Sequence, residues 1–206
     1  MEIVCLDLEG VLFPEIWINV AERTGIEKLK MTTRDISDYN VLMQQRLALL
    51  TEHNLGLSDI QAVIDTLEPM EGAEAFVNWL RERYQLAILS DTFYEFAAPL
   101  MRKLSYPMIL CHHLEVDSQG KVTGYQLRQE KSKRQSVRAF KLLNYKVIAA
   151  GDSYNDINML HEADAGILFS PPDNVVAEFP QFPVTRTYEA LQDEFTAATE
   201  RIRNEH

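Results

Sequence analysis

The chain has 206 residues and a formal net charge of −11 at pH 7. This length suits one well-packed domain, or one domain that carries a smaller insertion. The negative charge argues against a nucleic-acid surface, which needs clustered Lys and Arg, and no apolar run approaches the ~18 residues that a membrane span requires.

The start of the chain and its cysteines indicate the compartment. A strand-like run begins almost directly after Met1, which leaves no room for a signal peptide. The two cysteines, Cys5 and Cys111, give no disulfide framework and suit a reducing compartment. We therefore expect a cytoplasmic protein with no membrane partner and no nucleic-acid partner.

Short apolar runs alternate with helical patterns along most of the chain. Buried parallel strands are predicted for IVCLDL at 3–8, LAILSD at 86–91, KVIAAGD at 146–152 and AGILF at 165–169. Helices are predicted at 73–84, 94–104, 133–144 and 155–163. This alternation predicts an α/β fold with a Rossmann-like parallel sheet covered on both faces.

The segment from 13 to 68 breaks the alternation because it contains only helical patterns. Its last pattern opens with Ser58 and Gln61 at the spacing of a capping box. We therefore predict a helical cap domain at 13–68, inserted after the first strand. The α/β core domain would consist of 1–12 and 69–206.

Two other segments are predicted to be irregular. The sequence VDSQGKVTG indicates a hairpin turn at Gln119-Gly120, and the Pro-rich stretch at 169–184 predicts an ordered loop. Pro99 is expected to bend or interrupt the helix at 94–104.

Three predicted strands end in carboxylates, at Asp7, Asp91 and Asp152. The carboxyl ends of parallel strands meet at one edge of a sheet, and converging carboxylates repel unless a cation lies among them. Asp156 follows Asp152 by one helical turn and could share its face. Hard cations such as Mg²⁺ bind such carboxylates, although acids at a helix N-terminus are the alternative interpretation.

Asp7 and Glu9 follow the first predicted strand one residue apart. Alternation along an extended segment puts both side chains on one side. Two acids at one site can divide the chemistry, one ionised as nucleophile or metal ligand and the other protonated as general acid. The alternative is a pair of exposed turn acids, because Asp-x-Glu alone is common.

Two further sites are candidates for binding an anion. Ser90 and Asp91 lie where a helix is expected to begin, which suits anion binding, although N-capping by Asp91 or Thr92 is the alternative. Lys133 stands at the start of another predicted helix, where a cation is unfavourable unless an anion is near. Lys131 and Arg134 are equally well placed, so the choice of cation stays open.

Arg46 is the most informative residue of the predicted cap. It shares one helix face with Leu42, Leu49 and Leu50. An Arg among leucines either extends its charged end to solvent at the border of the face or binds a carboxylate or phosphate in a forked manner. Glu15, near the start of the first cap helix, suits the charge preference of a helix N-terminus.

The order of these motifs resembles that of the haloacid dehalogenase superfamily. Its four motifs are similar, in order, to DLEGV at 7–11, SDT at 90–92, Lys133 and GDSYND at 151–156. A helical cap after the first strand is typical of its phosphoserine phosphatases. Glu9 in place of Asp, and Asp91-Thr92 in place of a Gly pair, resemble a bifunctional branch that also transfers the phosphoryl group to homoserine.

The resemblance implies a mechanism through an aspartyl-phosphate. Asp7 would be the nucleophile, and Glu9 would protonate the leaving oxygen and then deprotonate the incoming water. The implied cofactor is Mg²⁺, bound by Asp7, the Glu9 backbone carbonyl and Asp152. Asp156 would orient the groups that bind the metal without binding the ion itself.

The substrate-binding residues implied by the resemblance come from both predicted domains. They are Glu15, Arg46, Ser90, Asp91, Lys133 and Asn155. Ser90 and Lys133 would stabilise phosphoryl oxygens, which makes Lys133 catalytic as well. Arg46 would bind the carboxylate of O-phosphoserine, and Glu15 would bind its ammonium group.

Three functional hypotheses remain from the sequence. The first is a Mg²⁺-dependent phosphoserine phosphatase that also transfers phosphate to homoserine. The second is a phosphatase for another small phosphometabolite, such as a sugar phosphate. The third is a non-catalytic binding protein on the same fold. The sequence indicates neither the physiological acceptor nor the oligomeric state.

Overall fold

A mostly parallel sheet lies at the centre of the fold. The computed structural model describes residues 1–32, 35–36 and 38–204. In these ranges the strands are β1 (Glu2–Leu6), β2 (Gln85–Phe93), β3 (Met108–Val116), β4 (Val122–Gln126), β5 (Lys146–Gly151), β6 (Ala165–Phe169) and β7 (Val184–Thr185). Their order is β4-β3-β2-β1-β5-β6-β7, and only β3 and β4 pair in antiparallel fashion among these described strands. The predicted α/β class and parallel sheet are confirmed.

Helices cover both faces of this sheet. In the described ranges they are α1 (Ile16–Thr24), α2 (Tyr39–Glu52), α3 (Leu57–Ile64), α4 (Ala73–Arg81), α5 (Tyr94–Lys103), α6 (Ser132–Leu142), α7 (Ile157–Glu162), α8 (Asp173–Glu178) and α9 (Tyr188–Asn204). No helix in the described part of the chain is both long and apolar enough to cross a membrane.

β1 is buried on both of its faces, which explains its uninterrupted apolar run. Val4 and Leu6 pack in one core cluster, and Ile3 and Cys5 pack in the other, because successive strand residues point to opposite faces. β1 pairs with β2 on one side and β5 on the other. Asp7 therefore leaves the sheet at the middle of its carboxyl edge.

Helices α1, α2 and α3 follow β1 and precede α4, as the predicted insertion requires. Their apolar residues join the larger core cluster, where the Trp17 ring lies 5.6 Å from the Phe96 ring of α5. One of the helical patterns in 13–68, the run SDYNVLMQQRLALLTEHN at 37–54, contains α2, and its Ser37 lies outside the described residues. The division into a cap at 13–68 and a separate core stays a prediction.

α5 continues through Pro99, so the expected interruption is wrong, while the expected bend stays a prediction. Pro99 lacks the N–H that would bond the Glu95 carbonyl one turn earlier. The side-chain amide of Gln61 in α3 donates to this carbonyl at 2.8 Å. Pro99 therefore leaves the Glu95 carbonyl free to accept a hydrogen bond that joins α3 to α5.

The predicted capping box of Ser58 and Gln61 is wrong. Gly56 occupies the N-cap position of α3, and the Asp59 carboxylate accepts its backbone N–H at 2.7 Å. The Gln61 side chain instead lies against α5, where its amide donates to the Glu95 carbonyl.

Several elements lie outside the predicted set. α8 falls within 169–184, so the expectation of a loop throughout that stretch is wrong. α9 buries Leu191, Phe195, Ala198 and Ile202 at spacings that suit a helix packed on a sheet. The predicted turn at Gly120 is confirmed between β3 and β4.

Candidate active site

A cavity of about 790 Å³ opens at the carboxyl ends of β1, β2 and β5. It is bounded on one side by the sheet and on the other by α1 and α2. The predicted site residues that line it are Asp7, Glu9, Glu15, Arg46, Ser90, Asp91, Asp152 and Asn155. The structure thus brings residues from distant parts of the chain to one concave site.

Lys133 lies beneath this cavity among acidic side chains. Its Nζ atom is 2.8 Å from Asp7 Oδ2, 2.7 Å from Asp156 Oδ1 and 3.9 Å from Asp91 Oδ2. Burial alone would lower the pKa of Lys133, but these three acids raise it well above its usual value. Lys133 therefore supplies a fixed positive charge next to Asp7.

Of the three cations near the start of α6, Lys133 is the one that contacts the buried carboxylates. Lys131 precedes α6 and is exposed, and Arg134 pairs with Glu162 at 2.7 Å on the outside. Lys133 has only 4% of its surface exposed. Of these cations, only Lys133 reaches the carboxylates.

Asp7, Asp152 and Asp156 form a buried cluster whose oxygen atoms lie within 4.8 Å of one another. Burial first, and then neighbouring charges, raise the pKa of Asp152 to about 7 and that of Asp7 well above its usual range. These oxygen donors fit a hard divalent cation, which would offset their mutual repulsion.

Asp156 is held by contacts within the chain. Its Oδ2 accepts the backbone N–H groups of Asp152 at 3.0 Å and Ser153 at 3.2 Å, while Oδ1 faces Lys133. A Cβ atom at Gly151 would lie 2.3 Å from the Asp156 Cγ, so only glycine permits this approach. The interpretation of Asp156 as an acid at a helix start is thus compatible with a place in a cluster that could hold a metal ion.

Glu9 links the end of β1 to the first helix of the predicted cap. Its Oε2 accepts the backbone N–H of Ile16 at 2.8 Å. Burial, together with repulsion from Glu15, raises the pKa of Glu9 to about 8. Glu9 therefore suits the protonated form of a general acid at neutral pH, and the exposed-turn alternative is wrong.

Glu15 occupies the N-cap position of α1, but its side chain makes no cap hydrogen bond. The Glu9 carboxylate takes that role, which requires a contact between residues seven apart and was not predicted. The Glu15 side chain instead lines the cavity.

The helix predicted at 94–104 is confirmed as α5, but the expectation that Ser90 and Asp91 lie at its start is wrong. β2 continues to Phe93 and α5 begins at Tyr94, whose N-cap position has no side-chain cap. N-capping by Asp91 or Thr92 is therefore also wrong. The buried Ser90 hydroxyl accepts the Thr92 backbone N–H at 3.2 Å, and its own proton is available to the cavity.

Arg46 is buried, with 7% of its surface exposed, so its charged end does not extend to solvent. Its guanidinium lies 4.7 Å from the Trp17 ring centre, and Nη2 donates to the Met31 carbonyl at 2.9 Å. Nε has no hydrogen-bond partner, and no acid within the described ranges forms an ion pair with this side chain. Burial lowers the pKa of Arg46 to about 10, so it remains a cation at neutral pH.

Sequence reasoning missed several residues that line the cavity. Trp17 and Tyr39 come from α1 and α2, and Asn174 comes from α8. Tyr39 also donates from its hydroxyl to the Asp91 backbone carbonyl at 3.0 Å. Its position seven residues before Arg46 places both on one helix face, a signal that could have identified it.

Comparisons with known proteins agree with this geometry. The family described as haloacid dehalogenase-like hydrolase matches residues 1–164. The phosphoserine phosphatase ThrH of Pseudomonas aeruginosa is 67% identical over 201 residues, which cover 98% of each chain. A phosphoserine phosphatase of Pseudomonas syringae pv. tomato is 65% identical over 98% of this chain and 85% of its own length.

Solved structures show a similar fold. A phospho-aspartyl intermediate analogue of a phosphoserine phosphatase has a TM-score of 0.77 at 21% identity, over 94% of this chain and 98% of that one. A substrate-bound phosphoserine phosphatase complex has a TM-score of 0.76 at 20% identity, over 94% and 97% of the two chains.

Proposed function

The chain belongs to the haloacid dehalogenase-like hydrolase family, and we propose that it is a Mg²⁺-dependent phosphoserine phosphatase. The observation that carries this choice of substrate is Arg46, a buried cation in the cavity that forms no ion pair in the part of the chain described. The similarity to two phosphatases of that name supports the same choice.

The two charges on the α1 and α2 side of the cavity suit an amino-acid head group. Arg46 would bind the substrate carboxylate in a charge-assisted manner. Glu15 lines the same cavity and would bind the ammonium group. A sugar phosphate carries neither charge, so it would leave the buried Arg46 without a partner at a cost in affinity.

Asp7 would carry the covalent step. One of its carboxylate oxygens attacks phosphorus, the bond from phosphorus to the serine oxygen breaks, and Glu9 gives its proton to that oxygen. Lys133, 2.8 Å from Asp7, and the Ser90 hydroxyl would stabilise the phosphoryl oxygens. The products of this step are serine and an aspartyl-phosphate on Asp7.

Glu9 would also serve the second step as a carboxylate. It takes the proton of an incoming water or alcohol, whose oxygen forms a bond to phosphorus as the bond to Asp7 breaks. Asp7, Asp152 and the Glu9 backbone carbonyl would hold Mg²⁺, and Asp156 would orient this site. When bound, the ion neutralises charge on the phosphoryl oxygens.

The acceptor is tested by supplying phosphoserine and Mg²⁺ with and without homoserine. We expect wild-type protein to release free phosphate and, with homoserine present, also to form phosphohomoserine. Glu9→Asp shortens the side chain by one methylene, so its carboxylate no longer reaches both Ile16 and the acceptor. The ratio of transfer to hydrolysis should then fall at least about threefold.

Glu22→Asp, an exposed change of the same kind on α1, should keep the wild-type ratio. An unchanged ratio in Glu9→Asp would mean that side-chain length does not select the acceptor. If wild-type protein forms no phosphohomoserine, water alone is the acceptor.

A further inference from the structure

The carboxylate of Asp91 lines the phosphate-binding part of the cavity, where a negative charge is unexpected. Its neighbours Ser90 and Lys133 are the groups proposed to bind phosphoryl oxygens. A carboxylate repels a phosphate dianion that is bound next to it. The Asp91 side chain is therefore unsuited to hold the phosphoryl group directly.

An irregularity in β2 sets the direction of Asp91. The pairing of β2 with β3 is regular up to Leu89, which faces Leu110, and resumes at Phe93, which faces His112. β2 thus uses more residues than β3 over this interval, which bends the strand and redirects its side chains. The bend turns Asp91 toward the start of α6.

Four side chains surround the Asp91 carboxylate. Oδ2 accepts the Asn155 amide at 3.2 Å and lies 3.9 Å from Lys133 Nζ. Oδ1 accepts the Ser132 hydroxyl at 3.4 Å and lies 3.6 Å from His112 Nε2. Burial opposes ionisation, but Lys133, His112 and Asn155 lower the pKa of Asp91 to about 2.

His112 is held in one orientation on the far side of Asp91. Its Nδ1 accepts the Arg128 backbone N–H at 3.1 Å, which assigns the ring proton to Nε2, the atom that faces Asp91. The ring is 3% exposed and lies edge-on to Tyr39. The adjacent His113 points to the opposite side of β3 and is exposed.

We propose that Asp91 is a positioning residue whose carboxylate holds the Asn155 amide and the Lys133 ammonium in place for the phosphoryl group, and that His112 holds this carboxylate. The inference deepens the proposed phosphatase function and rests on it. One hydrogen of the Asn155 amide is used by Asp91, which leaves the other for a ligand in the cavity.

The charge of Asp91 has a second consequence for ligands. Because it lies near Lys133, it reduces the positive potential that a phosphate group experiences. Loss of this charge should tighten phosphate binding, while loss of the contacts to Asn155 and Lys133 should slow turnover. A purely structural role of Asp91 would not strengthen phosphate binding while it slowed turnover.

The test compares three variants in the presence of Mg²⁺, with phosphoserine and an aryl phosphate as substrates and inorganic phosphate as inhibitor. We expect Asp91→Asn to lower kcat about 10- to 100-fold and to lower the inhibition constant of phosphate at least about threefold. His112→Phe should lower kcat by a smaller factor, because Asp91 keeps its other partners, and should not lower the inhibition constant of phosphate, because Asp91 keeps its charge. His113→Phe should retain wild-type values.

An unchanged kcat or an unchanged phosphate inhibition constant in Asp91→Asn would overturn the proposal. His112→Phe decides the question if Asp91→Asn does not fold, since a wild-type kcat for this variant would also contradict it. Hydrolysis of the aryl phosphate allows the proposed phosphoserine phosphatase function and the proposed role of Asp91 to be tested separately. Hydrolysis of that substrate without hydrolysis of phosphoserine would contradict the proposed function, yet the comparison of variants would still decide the role of Asp91.

Discussion

Asp7→Asn is expected to reduce Mg²⁺-dependent phosphate release from phosphoserine on the order of 10⁴-fold or more. The amide cannot attack phosphorus as a carboxylate does, so no covalent intermediate forms. The variant should still fold, because Lys133 keeps its contact of 2.7 Å with Asp156. Phosphate release with and without Mg²⁺ measures the loss directly.

The matched control for this variant is Asp65→Asn, which removes an exposed carboxylate at the end of α3. It should retain wild-type release, with loss of activity when the metal is chelated. A folded Asp7→Asn protein that keeps substantial release would show that another group is the nucleophile.

Arg46→Ala is expected to raise KM for phosphoserine by about 30- to 1,000-fold, the range for loss of one partner of a buried charge pair. Hydrolysis of an aryl phosphate should largely survive, because that substrate has no carboxylate for Arg46 to bind. Steady-state kinetics on both substrates distinguish lost recognition from general damage.

Arg102→Ala serves as the control, since its side chain is exposed on α5. It should leave both substrates unaffected. An equal loss on both substrates in Arg46→Ala would contradict a role in substrate recognition, and would favour a role of Arg46 in holding α1 and α2 together through Trp17 and Met31.

The parallel sheet and its acidic edge could be predicted from the sequence alone. Each buried strand reads as an apolar run, and the residue that follows it must emerge at the carboxyl edge. The positions of Asp7 and Asp152 follow from this rule. The resemblance to the haloacid dehalogenase superfamily then predicted that residues far away in the chain, such as Arg46 and Lys133, belong to the same site.

Other features depend on contacts that no local pattern encodes. The choice of Lys133 over Lys131 depends on the direction of the first turn of α6. The bend in β2 depends on how its residues pair with β3, so the extension of this strand to Phe93 could not be predicted from the sequence. The contact of Gln61 with the Glu95 carbonyl requires α3 and α5 to meet.

If the cavity recognises an amino-acid phosphate, kcat/KM of the wild-type protein will differ strongly among phosphoserine, phosphoethanolamine and a sugar phosphate. Phosphoethanolamine keeps the ammonium group and lacks the carboxylate. We expect phosphoserine to exceed both other substrates by about 100-fold or more, since each leaves Arg46 unpaired. Equal or faster hydrolysis of the sugar phosphate would contradict the claim.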